Sequence, residues 1–60
     1  MNFYQFTNWC KNKIEMHPNL KQEINDFYSL AQTEIADGNS EQHEIDLAIN
    51  DINDIIKEKL

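Results

Sequence analysis

From Ile45 to Leu60 the chain repeats its apolar side chains at helical spacing. Ile45, Ala48, Ile49, Ile52, Ile55, Ile56 and Leu60 recur at intervals of three and four. That period lines one side of an α-helix, and the alternation a half-buried strand requires is absent. Isoleucine by itself favours strands, so here spacing and residue preference disagree. Spacing sustained over the whole segment decides for helix.

Two more stripes of the same kind precede it. Phe3, Phe6, Cys10 and Ile14 are spaced three, four and four. Leu20, Ile24, Phe27, Tyr28, Ala31 and Ile35 fall within roughly a third of a helix circumference at ~100° per residue. The only proline, Pro18, and the only glycine, Gly38, separate the stripes. A residue before proline is pushed out of the helical region, which ends the first helix near His17. Pro18 then suits the first position of the second helix, where its missing N–H costs nothing. Asp37-Gly38 closes that helix with glycine in a left-handed position. Asn39 or Ser40 is expected to cap the third helix, with Gln42 completing a capping box on Asn39. Glu41 and Glu44 in the first turn, and Lys57 and Lys59 in the last, match the helix dipole. The spacing predicts an all-α fold in one domain, 1–60. Its helices run over about 2–16, 18–37 and 40–58, as a short N-terminal helix with an antiparallel helical hairpin.

A chain of 60 residues buries only about 60% of its unfolded surface. Domains of this size lean on disulfides, metals, oligomerisation or very regular helix packing. Cys10 is the one cysteine, so an internal disulfide and a cysteine-based zinc site are excluded. A homo-oligomer is therefore expected. A lone thiol fits a reducing compartment, and no long apolar run or secretory leader is visible. The expected address is cytoplasmic, with no membrane partner.

Charge narrows the function classes further. The formal net charge is −6, unevenly placed: residues 1–22 hold Lys11, Lys13 and Lys21 against Glu15 alone, and residues 23–56 hold nine carboxylates and no Lys or Arg. Such a field repels nucleic acid and attracts basic surfaces. A basic protein partner is expected, and direct nucleic-acid binding is not.

Three kinds of site are conceivable on these residues, each with a plainer explanation. His43 and Asp46 have the i, i+3 spacing that metal ligands use on a helix, with Asn50 on the same side. No second His or Cys is near, so a capped helix start with a solvated flank explains them better and no metal is expected. Acid–base catalysis requires carboxylates whose surroundings separate their pKa values. Here the acids oppose the apolar stripes, Cys10 lies inside one, and no nucleophile or phosphate-loop motif exists. Neither enzymatic activity nor a cofactor is expected.

The third kind is a docking surface. Glu41, Glu44, Asp46, Asp51 and Asp54 spread over the polar side of the third helix, with Glu23, Asp26, Glu34 and Asp37 as a second row. Rows of carboxylates can present phosphate-like charge to a basic protein; the plain reading is a solubilising surface. Five apolar residues miss their stripes: Tyr4, Trp9, Met16, Leu30 and Leu47. Single exposed hydrophobics are ordinary, but Trp, Tyr and Met are favoured interface anchors. These five are the expected partner-binding or oligomer contacts.

The chain has no Arg and no Val beside eight Asn and eight Ile, which points to an AT-rich coding sequence. Short, acidic and helical, it resembles in style the small accessory proteins that tailed bacteriophages direct against host machinery. The likeness rests on composition and implies an inhibitor or adaptor acting in host cytoplasm, without assigning residue roles. Two other functions fit the same residues. An oligomer could sequester a small ligand or nucleotide, with Lys11, Lys13, Lys57 and Lys59 converging between subunits. Alternatively, the chain could be a structural subunit of a larger assembly.

Overall fold

A computed structural model describes residues 1–60. Three α-helices, α1 (Phe3–Met16), α2 (Lys21–Ala36) and α3 (Glu41–Lys59), make an all-α unit, with a 3₁₀ turn at Pro18–Leu20 leading into α2.

Local chemistry sets each boundary. α1 opens with a capping box: the Gln5 N–H donates to Asn2 Oδ1 at 2.8 Å and the Asn2 N–H donates to Gln5 Oε1 at 2.9 Å. Two donors that the helix cannot satisfy internally are thus bonded. α1 stops at His17, and Pro18 takes the first position of the 3₁₀ turn. α2 ends in a Schellman motif, in which the Asn39 N–H reaches Glu34 O at 3.1 Å and the Gly38 N–H reaches Ile35 O at 3.0 Å. Gly38 has φ +103°, a conformation that costs a residue with a Cβ.

The start of α3 corrects one expectation. Ser40 is the cap, accepting from the His43 N–H at 3.3 Å, and no box forms between Asn39 and Gln42. Asn39 belongs to the end of α2 instead: its backbone completes the Schellman motif, and its side-chain amide donates to Glu34 Oε2 at 2.6 Å.

Phe6, Cys10, Leu20, Ile24, Ala31, Ile45, Ala48 and Ile52 form the core, and no buried position is polar or charged. α2 is the central element, packing most extensively on α3, next on α1, while α1 meets α3 least. The radius of gyration is 11.0 Å, close to the ~10 Å of a compact chain this long. Phe6 has no exposed surface and anchors α1. Its ring centroid lies 5.6 Å from Tyr28, 5.8 Å from Phe3 and 6.4 Å from Trp9. Packing of this kind contributes beyond area burial, about 0.5–1.5 kcal/mol per pair.

Candidate interaction surface

Leu30 and Leu47, each one residue out of register with its stripe, meet in the folded chain. They line one groove of about 80 Å³ between α2 and α3, with Phe27, Ala31 and Ala48 beneath and Glu44 and Asp51 at the side. Ala31 and Ala48 are both buried, and small residues at a helix seam allow close approach of the backbones. Each leucine immediately precedes a buried alanine, so ~100° of helix rotation carries it from the seam to the lip. Leu30 is 56% exposed and Leu47 46%.

The acids have an order that their number alone does not convey. On α2, Glu23, Asp26, Glu34 and Asp37 all lie within about 40° of Leu30 at ~100° per residue. On α3, Glu44, Leu47, Asp51 and Asp54 share an arc of roughly 80°. The apolar groove therefore runs between two acidic rows. Glu44 is half-buried against it, while Asp51 and Asp54 are exposed.

The other two acids of the expected face point elsewhere. Glu41 reaches across to α1, where its Oε1 accepts the Phe3 N–H at 2.7 Å. It thus serves as a cap contributed by another helix, placing negative charge at a positive dipole end. Asp46 lies about 100° around α3 from Leu47 and accepts from Gln42 Nε2 at 2.8 Å. The same Gln42 accepts from the Met1 ammonium at 3.1 Å. Glu41 and Gln42 thus fasten the start of α1 to the start of α3.

The remaining off-stripe residues divide in the same way. Trp9 is half-buried and packs on the core beside Phe6, with Lys13 Nζ 5.2 Å from its ring centroid, within cation–π range. Tyr4 and Met16 are 75% and 65% exposed, and lie about 120° apart around α1. They form no common patch with each other.

A second groove, of about 200 Å³, lies between α1 and α2 and is lined by Thr7, Cys10, Lys11, Ile14, Asn25 and Tyr28. Its polar groups are partly spent on structure. Thr7 Oγ1 donates to Phe3 O at 2.9 Å and sits 2.9 Å from the Tyr28 hydroxyl. With its one hydrogen committed to Phe3, Thr7 accepts from Tyr28. Burial pushes the Cys10 thiol up to about 11, which keeps it protonated and a poor nucleophile near neutral pH. His43 is exposed, and no three His, Cys, Asp or Glu side chains are grouped to hold a metal ion. No helix is long and apolar enough to cross a membrane.

No family model, curated protein or solved structure matches the chain. Sequence reasoning flagged Leu30 and Leu47 singly and missed their union, since only the α2–α3 packing angle brings them together. It also passed over the Asn2–Gln5 box, although its spacing is visible in the sequence.

Proposed function

We propose that the protein is a non-enzymatic interaction module that docks its α2–α3 face on a basic protein. The groove exposing Leu30 and Leu47 between two acidic rows carries this reading. Apolar anchors ringed by charge are how protein interfaces combine affinity with specificity. The region around the groove is uniformly negative, since residues 23–56 contain no Lys or Arg. A partner whose basic surface ordinarily meets nucleic acid is matched by this charge, and occupying that surface makes the protein an inhibitor or adaptor.

Self-association belongs to a different face in this reading. Pairing the hairpin face with its own copy sets acidic rows against acidic rows. Tyr4 and Met16 on α1, in the half of the chain that holds Lys11 and Lys13, offer a homo-oligomer two separate apolar contacts.

Affinity capture from host lysate at low and high salt tests the proposal. The expected result is a basic protein that salt releases, that DNA or RNA displaces, and that the triple variant Glu44→Lys, Asp51→Lys, Asp54→Lys no longer retains. Retention indifferent to both salt and charge reversal overturns it.

A further inference from the structure

We infer that the α2–α3 groove takes a cationic amphipathic helix of the partner. Its apolar stripe would insert between Leu30 and Leu47, with lysines or arginines on both shoulders facing the acidic rows. This rests on the reading above that the hairpin face meets a basic protein, and specifies which element of that protein binds.

Four observations lead to this occupant. The groove is apolar along its floor, through Phe27, Ala31 and Ala48, and is open at Leu30 and Leu47. Its volume of about 80 Å³ is on the scale of a single aliphatic side chain, so it receives a protruding residue and cannot enclose a free ligand. Glu44 and Asp51 of α3 line it, Asp54 shares their side of α3, and helix geometry sets Glu23, Asp26 and Glu34 on the side of α2 that carries Leu30. At 1.5 Å rise per residue these rows extend roughly 15–17 Å, about three helical turns.

The pattern of apolar centre and charged shoulders decides between shapes of ligand. An amphipathic helix presents an apolar stripe with charge on both sides of it, the complement of what the groove offers. An extended segment turns alternate side chains to opposite faces, and binds best where a sheet edge supplies backbone partners. Here the neighbouring backbone is helical and internally bonded. A second copy of this chain is disfavoured because its equivalent face carries the same negative rows. Nucleic acid is repelled for the same reason.

Two synthetic peptides test the inference on the intact protein. One has roughly 18 residues, five helical turns, with leucines at three- and four-residue spacing and lysines elsewhere. The other has the same composition with its leucines scattered, so that no stripe forms. Binding is measured by calorimetry, and its position by the leucine methyl resonances. The striped peptide is expected to bind one site, to shift Leu30 and Leu47, and to bind at least about tenfold tighter than the scattered one. Leu30→Asn and Leu47→Asn, which leave every carboxylate in place, should each weaken it by about tenfold.

Equal binding of the two peptides means that charge alone docks the partner; the inference then falls while the acidic-face reading stands. Shifts confined to Leu20 and Leu60, or no binding by either peptide, also overturn it. So do Leu30 and Leu47 resonances that move with protein concentration alone, since a second copy then fills the groove. The lysate capture judges the broader proposal independently of all these outcomes.

Discussion

The two seams of α2 are built differently. Toward α1 it is closed by aromatic rings, with Phe6 among Phe3, Trp9 and Tyr28 and a hydroxyl bond from Tyr28 to Thr7. Toward α3 its buried residues are aliphatic and small, Ile24, Ala31, Ile45, Ala48 and Ile52, with Phe27 the one ring, half-buried at the groove. The aromatic seam draws even the off-stripe Trp9 onto the core. The aliphatic seam is the more extensive of the two, yet it leaves Leu30 and Leu47 exposed. The seam bearing Ala31 and Ala48 leaves its lip uncovered, and that lip is the surface proposed above for a partner.

The aromatic seam is the more vulnerable of the two to a single substitution. Phe6→Ala should cost about 3–5 kcal/mol, by the usual loss for a fully buried ring. A domain of this size holds roughly 3–9 kcal/mol in total, at 0.05–0.15 per residue. Circular dichroism on heating is expected to show a greatly lowered midpoint or no cooperative transition.

Alkaline pH attacks the same seam through Cys10. Its pKa in the folded chain, about 11, lies above the ordinary 9.0, so the folded state holds its proton more tightly than the unfolded one. This contribution to stability is complete below pH 9 and is lost as pH rises through 11. Its upper limit is roughly 2–3 kcal/mol, at about 1.4 kcal/mol per pKa unit. Urea denaturation at pH 8 and pH 11 should show a larger drop for the native protein than for Cys10→Ala, and equal drops would remove the effect.

The aliphatic seam is tested in the opposite direction, by adding volume. Ala48→Leu should destabilise by about 1–3 kcal/mol through overpacking; a neutral result would mean that the alanines do not set the helix spacing. Tyr28→Phe, which removes the hydroxyl and keeps the ring, should cost about 0.5–1.5 kcal/mol, measured by chemical denaturation. The smallest effect belongs to the lip. Leu30→Asn and Leu47→Asn should each change stability by less than about 0.5 kcal/mol, so that any loss of binding in these variants belongs to the interface. A large destabilisation would show that these leucines serve the fold.

Much of this structure could be read along the chain because its causes are local. The 3–4 spacing of Ile45 to Ile56 indicates a helix wherever α3 packs, and Pro18 and Gly38 break helices through constraints on their own and adjacent dihedrals. Buried residues were likewise legible, since Phe6, Cys10, Ile24, Ala31, Ile45, Ala48 and Ile52 all belong to the stripes. Asn39 was harder. Its type suits both a helix start and a helix end, and only the Schellman bonds to the end of α2 decide between them.

For the interaction surface the division is sharper. The helices, the apolar stripe on each and the excess of negative charge after residue 22 can all be read along the chain. These follow from spacing, punctuation and composition, none of which depends on how the helices are arranged. Tertiary structure alone decided that Leu30 and Leu47 share a groove and that Glu41 caps α1 instead of joining the acidic rows. It also drew Trp9 onto the core while leaving Tyr4 and Met16 exposed. Those outcomes depend on how far each helix is rotated and how closely it approaches its neighbour. Rotation and approach are set by side chains meeting across the seams, a cluster of rings toward α1 and mainly isoleucines and alanines toward α3.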